Sequence, residues 1–291
     1  MGANVSSSRI LISSVILILV LSTLSGILTH NQDFEEKDSI IQEDSFRNYF
    51  TSKNSNDWSA SASASNPVIV SAVDTSSNNE IVVAGVISGS TTMSMGSASI
   101  TSGQYVEPWI AKADSNGNWQ WIEKVSIIGT SQYAEAAITD VAVAPNGDIF
   151  ATGMFYDSVS FGSITLTSTG YWDCWTAKLS ASGQWQWAQA LRGDGDYDGV
   201  TVTTLDVVYG TSIAVDSNSN PIVGGFFLGN TDVGVAADTG AQNGDDIEIF
   251  VAKYSNSGNL QWSEVARGQG IQEVNSMVVD SSNSIWISTT F

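Results

Sequence analysis

A module of 64 to 75 residues repeats along this chain, and its clearest marker is a glycine turn followed by a strand that ends in Gln-Trp. The marker ends at Trp121, Trp187 and Trp262, which lie 66 and 75 residues apart. A period of this length excludes most helical solenoids, and none of these segments places apolar residues at helical spacing. The chain therefore consists of copies of one module that is rich in β-strands.

Each module contains the pattern of four short strands. The third strand ends in Ala-Lys, at Lys112, Lys178 and Lys253, and leads through a turn to the module tryptophan. The first turn contains pairs such as Asn146-Gly147, which suit a tight hairpin. Four antiparallel strands in a meander, repeated, predict an all-β fold: a β-propeller of four-stranded blades. The module tryptophans then fill the space between blades as core residues.

The repeat also predicts where each blade begins and ends. Three full blades and a partial fourth are expected at 67–125, 137–192, 209–267 and 274–291. Residues 57–63 align with a fourth strand, because Trp58 stands 63 residues before Trp121. Such an orphan strand closes the ring in many propellers. We therefore expect a ring that is incomplete or closed by the N-terminal strand, with an open blade edge that takes a partner.

The module resembles the β-propeller repeat of bacterial and archaeal surface proteins, often abbreviated SBBP. The residues that carry the resemblance are the Ala-Val-Asp turn ending at Asp74 and Asp216, the strand that closes on Gly153 or Gly225, Phe161-Gly162, the run from Asp173 to Lys178, and the turn into Trp187. The resemblance covers about residues 57–291. It implies a propeller on a prokaryotic surface and supplies no catalytic residues, since propellers carry many unrelated activities.

The N-terminal segment predicts export. Residues 10–29 contain no charge and follow Arg9, so 1–30 is read as a signal peptide or a signal anchor. Residues 31–56 are polar and acidic and are expected to form a flexible linker. The single cysteine, Cys174, excludes an internal disulfide, which favours a prokaryotic source for an exported chain. The expected location is extracellular or at the cell surface, tethered by one N-terminal transmembrane helix if the segment is not cleaved.

Charge narrows the set of partners. The chain has a formal net charge of −20, and its few cations lie mostly at repeated module positions. No basic patch remains to hold phosphates, so nucleic acid is excluded as a partner and membrane contact is expected only through the N-terminal segment. A glycan or a surface protein is the expected ligand.

Histidine-dependent catalysis is also excluded. The only histidine, His30, lies at the export segment, so the repeats hold no histidine triad or histidine metal site. No carboxylate pair stands out against the acidic background. The favoured function is a non-catalytic module for ligand binding or adhesion. Two alternatives are an extracellular polysaccharide hydrolase or lyase that uses acidic residues, and a structural spacer in a surface layer.

The long connections of each blade predict a binding rim. Connections from strand two to three and from four to one fall on the rim opposite the short turns, and binding residues often lie on such loops. Glu107, Asp173 and Glu248 begin the third strands and face this rim, although their fixed module position also fits a structural role. Trp172 lies outside the recurring positions and is expected to be an exposed contact.

One loop has the start of a calcium site. Asp194, Asp196 and Asp198 precede Gly199 in the order D-x-D-x-D-G, in which alternate carboxylates can converge on a hard cation. An EF-hand is excluded, because its twelfth position is Leu205 and no helices flank the loop. The remaining interpretations are a calcium loop of another kind and a solvated acidic turn.

Overall fold

The computed structural model describes residues 60–169, 171–193, 207–229, 231–232, 237–238, 247–268 and 270–290. Within these ranges the regular structure consists of 22 β-strands. The first strands are β1 (Ala62–Ala64), β2 (Ile69–Thr75), β3 (Ile81–Ile87), β4 (Thr92–Met95), β5 (Ala98–Thr101), β6 (Glu107–Ala113), β7 (Trp119–Lys124) and β8 (Ser126–Ile127).

The remaining strands repeat this order. They are β9 (Glu135–Val143), β10 (Ile149–Tyr156), β11 (Ser158–Phe161), β12 (Ile164–Thr167), β13 (Asp173–Leu179), β14 (Trp185–Gly193), β15 (Val207–Val215), β16 (Pro221–Leu228), β17 (Thr231–Asp232), β18 (Ala237–Asp238), β19 (Glu248–Tyr254), β20 (Leu260–Ala266), β21 (Glu273–Val279) and β22 (Ile285–Thr290).

Three four-stranded antiparallel meanders and a two-stranded hairpin confirm the predicted all-β fold. Blade 1 has the order β2-β3-β6-β7, blade 2 β9-β10-β13-β14 and blade 3 β15-β16-β19-β20, while β21 and β22 form the described part of blade 4. In each blade the turns between strands one and two and between three and four lie on one rim, which we call the turn rim. The starts of the first and third strands lie on the opposite rim.

A bulge in the first strand explains the glycine that marks the second strand in blades 1 to 3. The pairing register shifts at Ser71 and at Thr211, where one extra residue enters the first strand. This shift pushes a backbone carbonyl against the partner strand. A Cβ atom at Gly153 would overlap the carbonyl oxygen of Ala137, and Gly85 and Gly225 face the same obstruction. In blades 1 to 3 glycine leaves room for the bulge, whereas Thr289 stands at the equivalent position of blade 4.

The bulge residues also join neighbouring blades. The hydroxyl of Ser71 donates to the Ile138 carbonyl at 2.7 Å, and Thr139 donates to the Gly210 carbonyl at 2.7 Å. Thr211 continues the series with a hydrogen bond of 2.6 Å to the Val274 carbonyl. The first strands of blades 1 to 4 therefore lie side by side, each tied to the next by one side chain.

The module tryptophans lie between blades but are not the deepest aromatics. The Trp121 indole donates to the Ala181 carbonyl at 3.1 Å, and its ring lies against Gly183 in the next blade's turn. Trp187 makes the equivalent contact with Asn256 at 2.9 Å. Both tryptophans are half-buried. The fully buried tryptophans are instead Trp109 and Trp175 on the third strands, and Phe250 is fully buried at the equivalent position of blade 3.

The connections between strands two and three differ from the long, irregular loops that were expected. Each contains a short hairpin, formed by β4–β5, β11–β12 and β17–β18. Each hairpin pairs with the end of the preceding outer strand: β11 with β8, and β17 with β14. The hairpins are thus ordered links between consecutive blades.

Strand β1 pairs with the hairpin of blade 1 in the way that β8 and the end of β14 pair with the hairpins of blades 2 and 3. It pairs with β4 in an antiparallel register that joins Ala62 to Met95. Counted from the aligned tryptophans, β1 is equivalent to the outer-strand ends at β8 and at Arg192-Gly193. Of the residues 57–63 predicted as a fourth strand, 62 and 63 belong to β1, and the residues before Ala60 lie outside the described ranges.

Candidate functional site

On the turn rim, module cations and acids form buried or half-buried ion pairs. Lys112 contacts Glu80 at 2.9 Å, Lys178 contacts Asp148 at 2.7 Å and Lys253 contacts Asp216 at 2.8 Å. Lys178 also donates to the Asn256 side chain in the next blade at 2.5 Å. Each module lysine thus pairs with an acid of its own first turn, which ends the turn in blades 1 and 2 and begins it in blade 3. This recurrence assigns these charges to the scaffold.

The three acids expected on the binding rim are buried. Glu107 accepts hydrogen bonds from the Ile127 amide at 2.9 Å and from Lys124 at 2.8 Å. Asp173 accepts from the Gly193 amide at 3.1 Å. Glu248 is also buried, and Arg267 lies 3.3 Å from its carboxylate.

These carboxylates hold the end of each outer strand against the start of the third strand. Each is committed to this internal contact, because a buried carboxylate needs hydrogen-bond donors or a cation. The burial of Glu107, Asp173 and Glu248 therefore differs from the exposed binding surface that was expected.

Trp172 is buried as well, and so it is not the exposed contact that its irregular position suggested. Its backbone carbonyl accepts a hydrogen bond from Val208 at 2.8 Å, which ties blade 2 to the first strand of blade 3. Its side chain lies beside the carboxylate of Glu135 and acts to lower the pKa of that acid. Trp172 thus positions an acid that the sequence did not single out.

An acid–aromatic cluster surrounds this contact on the rim opposite the turns. We use this name for Glu135, Tyr156, Tyr171, Trp172, Tyr209 and Glu273. The rings of Tyr156 and Tyr171 lie 5.5 Å apart, and those of Tyr171 and Trp172 lie 4.7 Å apart in an edge-to-face arrangement. Tyr209 stacks on Phe226 with a centroid distance of 5.2 Å.

The first strands of three successive blades supply the polar members. Glu135 begins β9, Glu273 begins β21, and Tyr209 lies near the start of β15. Tyr209 and Glu273 occupy the same module position, two residues before the bulge, where blade 1 has Ile69 and blade 2 has Ala137. The cluster is therefore not a repeated feature of the scaffold.

Burial controls the ionisation of the cluster. It raises the pKa of Glu135, although the side chain of Trp172 opposes the shift, and it raises the pKa of Glu273. Burial, together with the negative charges of Glu135 and Glu273, raises the pKa of Tyr209 to about 12. Tyr209 is consequently a neutral hydroxyl near two carboxylates whose charge the surroundings stabilise poorly. Perturbed carboxylates of this kind are enriched at functional sites.

Other parts of the described chain offer weaker evidence for a functional site. A cleft of about 450 Å³ lies between the outer strand of blade 2 and blade 3, away from the cluster, and Tyr254 and Arg192 are among its lining residues.

Among the described residues, no group of three or more histidine, cysteine, aspartate or glutamate side chains could hold a metal ion. Asp194, Asp196 and Asp198 lie outside the described residues, as do 1–30 and 31–56. No helix within the described ranges is long and apolar enough to span a membrane.

Comparison with known proteins supports the repeat and the fold. No protein-family model matches the chain. Over 161 residues the chain is 29% identical to an uncharacterized WD repeat-containing protein, L264, of Acanthamoeba polyphaga mimivirus. The chain resembles a WD-repeat protein over about half its length. The alignment covers 51% of this chain and 11% of the viral protein, so the chain spans a small part of that relative. WD repeats form propeller blades, which agrees with the meanders described above. The SBBP resemblance and the prokaryotic source stay predictions.

Proposed function

We propose that this chain is a non-catalytic β-propeller that binds a protein partner through the acid–aromatic cluster. The observation that carries the proposal is the difference between repeated and unrepeated charges. Repeated acids such as Glu107 and Asp148 are matched by internal cations. Glu135 and Glu273 are not module acids, and burial raises the pKa of both. A ligand that supplies positive charge and hydrogen-bond donors would stabilise both carboxylates.

The ligand is a basic segment of a partner protein. A lysine or arginine side chain satisfies carboxylates directly and also packs favourably on tyrosine and tryptophan faces. The net charge of −20 attracts such a segment over distance and repels acidic ones. Ile128 and Tyr133, exposed on the loop that leads into Glu135, provide apolar contact area beside the cluster.

A peptide array probed with the full chain in mild detergent tests this proposal. We expect binding to lysine- and arginine-containing peptides, loss of binding to matched glutamine peptides, and weaker binding as salt rises. A Glu135→Gln, Glu273→Gln double variant should lose this binding. The control is Glu123→Gln with Glu264→Gln on the outer strands, which changes the net charge equally. Equal binding by the two double variants would refute the cluster as the site.

One observation favours a second function, hydrolysis of a polysaccharide. Glycoside hydrolysis needs two carboxyl groups in different environments, one of which stays protonated long enough to act as an acid. Glu135 and Glu273 both have raised pKa values and flank Tyr209. Incubation with acidic and neutral polysaccharides, followed by product analysis, distinguishes the two functions. Chain cleavage that Glu135→Gln abolishes would establish the enzyme and displace the binding module.

The site of action and the calcium loop are proposals that rest on sequence patterns. We propose that the chain acts at the cell surface, where 1–30 exports or anchors it and 31–56 separates it from the membrane.

We propose that Asp194, Asp196 and Asp198 bind Ca²⁺. Calcium titration by calorimetry should give heat that Asp196→Ala removes, and no calcium-dependent heat in either protein would refute this site. A chain that binds neither peptides nor glycans would instead be a spacer.

A further inference from the structure

The cleft between blades 2 and 3 is lined in part by residues that depart from the module. Its walls are the end of β14 and the turn from β19 to β20, and its volume is about 450 Å³. The lining includes Leu191, Arg192, Tyr254 and Leu260. Pockets of this size hold small organic ligands. The cleft therefore has room for a ligand of metabolite size.

Two of these residues form a register pair that differs from its counterparts in the other blades. The third-strand residue and its outer-strand partner are Ala113 and Trp119 in blade 1, Leu179 and Trp185 in blade 2, and Tyr254 and Leu260 in blade 3. In blade 2 the indole of Trp185 packs edge-to-face on Phe161, with ring centroids 5.0 Å apart. Leucine fills less space than tryptophan, so the cleft opens at the position where the other two blades hold an indole ring.

The same pair places an unsatisfied hydroxyl at the cleft. Tyr254 is 2% exposed, and its hydroxyl makes no hydrogen bond to any residue that the structure describes. Burial raises the pKa of Tyr254 above its ordinary value of 10, so the group is a neutral hydroxyl. The equivalent Ala113 and Leu179 are apolar, so the scaffold needs no hydroxyl here. A buried hydroxyl without a partner destabilises a protein, which favours a ligand as its partner.

Arg192 supplies positive charge at the same cleft. Its Nε atom is buried, has no hydrogen-bond partner among the described residues and lies 3.9 Å from the Asp173 carboxylate. Asp173 instead accepts hydrogen bonds from the amides of Thr169 at 2.8 Å and Gly193 at 3.1 Å. The Arg192 guanidinium therefore keeps donors for a second carboxylate.

We propose that this cleft binds a small aromatic carboxylate. The carboxylate accepts hydrogen bonds from Arg192 and from the Tyr254 hydroxyl, and the ring packs on Leu191 and Leu260 in the space of the missing indole. Arginine suits this role, because its planar guanidinium binds a carboxylate through two parallel N–H bonds. The net charge of −20 does not prevent binding of an anion, since salt at about 0.15 M screens charges beyond about 8 Å. The ligand is opposite in charge to that of the acid–aromatic cluster.

Binding of indole-3-acetate to the full chain in mild detergent tests the proposal. This probe carries an indole ring and a carboxylate, and indole-3-acetamide has the same ring without the charge. Ligand-observed NMR titrations should show that the acid binds at least about tenfold more tightly than the amide, because charge-assisted hydrogen bonds are the stronger ones. Equal affinities, or no binding of the acid at millimolar concentration, would overturn the proposal.

Two variants locate the probe in the cleft. Leu260→Trp introduces the residue that blades 1 and 2 have at this position, and by filling the cleft it should abolish binding. Arg192→Gln should remove the preference for the acid over the amide. Arg267→Gln is the matched control, because Arg267 has the module position of Arg192 in blade 3 but does not line the cleft. The control should bind the acid as the wild type does.

A third variant separates binding from folding. Tyr254→Phe should weaken binding of the acid about fivefold, the effect of one hydrogen bond. Its melting temperature should be unchanged or raised, because the hydroxyl that it removes has no partner among the described residues. Lower stability with unchanged affinity would assign the hydroxyl to the scaffold and overturn the proposal. Full affinity in a folded Leu260→Trp variant would overturn it as well.

Discussion

The turn rim and the acid–aromatic cluster on the opposite rim treat their carboxylates in opposite ways. On the turn rim, the pKa of Asp114 is lowered by hydrogen bonds from Asn118, and that of Asp280 by the Trp286 indole. Burial alone would raise the pKa of Asp216, but Lys253 and the turn donors lower it overall. On the opposite rim, burial raises the pKa values of Glu135 and Glu273. The third-strand acids Glu107, Asp173 and Glu248 on that rim also have internal donors or cations. The contrast is therefore between the scaffold acids, which the protein itself stabilises, and the two cluster acids, whose charged forms burial disfavours.

The difference separates scaffold from site. The turn-rim acids stabilise turns and blade contacts, and where one is replaced, as Asp114 is by Ser180 and Ser255, the turn keeps the same backbone hydrogen bonds. The acid–aromatic cluster occurs once, where the first strands of different blades bring unlike residues together. Changes on the turn rim should therefore reduce stability and leave binding intact, whereas changes in the cluster should reduce binding and leave stability intact or improved. The predictions below test this separation, beginning with the largest effect.

Replacing the turn-rim lysine of blade 2 should have the largest effect on stability. Lys178→Met removes the ion pair with Asp148 and the contacts with Asn256, and leaves Asp148 without its cation in a mostly buried place. Breaking one partner of a buried pair costs about 3 kcal/mol. Urea unfolding measures this loss, and peptide binding by the remaining folded protein should equal that of the wild type. Weakened binding by the folded variant would contradict the separation of the rims.

The tryptophan contact on the turn rim comes next. A Cβ at Gly183 would lie 2.7 Å from the Trp121 ring, and the residue has a φ of 83° that strains any L side chain. Gly183→Ala should therefore cost about 2 kcal/mol through overpacking and backbone strain. Thermal unfolding measures the loss. Gly89→Ala is a suitable control, because its φ is also positive but nothing lies near its Cβ. Equal losses would mean that strain alone matters there.

A smaller loss is expected from the hydroxyl that joins blades 2 and 3. Thr139→Val keeps the shape of the side chain but removes its hydrogen bond to the Gly210 carbonyl. Such a bond contributes about 1 kcal/mol, and the half-buried carbonyl loses its extra donor. Thr139→Ser keeps the hydroxyl and should retain most of the stability. Urea unfolding of the two variants decides the point, and equal losses in both would assign the effect to packing.

The smallest change should have the opposite sign. The pKa of Glu273 is raised above its ordinary value of 4.5 in the folded protein, so stability falls as pH rises from 4.5 through the folded pKa. Glu273→Gln should therefore raise the melting temperature slightly at pH 7 and have no such effect below pH 4.5. Asp216 has a lowered pKa, so its contribution is instead lost as pH falls below its ordinary value of 3.8. A Glu273→Gln variant less stable at pH 7 would contradict this.

The sequence predicted the blades because their turns and strand ends repeat. Asn146-Gly147 and the module lysines mark turn positions that local chemistry determines. The hairpins between strands two and three were missed, because β11 and β12 are only four residues long. A signal was present, since Gly96 and Gly162 recur 66 residues apart and both turn their hairpins with a positive φ. Trp172 was expected to be exposed, since its burial depends on contact with the next blade, which sequence spacing does not reveal.

The acid–aromatic cluster could not be read from any one module. Its members lie up to 138 residues apart, and only the side-by-side placement of first strands brings Glu135 and Glu273 towards Tyr209. A signal was nevertheless present. Aligning the modules on the bulge shows Ile69, Ala137, Tyr209 and Glu273 at one position, and such variation inside a regular repeat indicates residues chosen for something other than the fold.

The most direct measurement compares binding of a lysine-rich peptide by two variants of equal net charge. The first carries Glu135→Gln and Glu273→Gln, and the second carries Glu123→Gln and Glu264→Gln on the outer strands. Two charge-assisted hydrogen bonds are at stake, so we expect the first variant to bind more than about tenfold more weakly than the wild type, with full stability. The second variant should bind within about twofold of the wild type at 0.15 M salt. Equal affinity of the two variants would contradict a binding site at the acid–aromatic cluster.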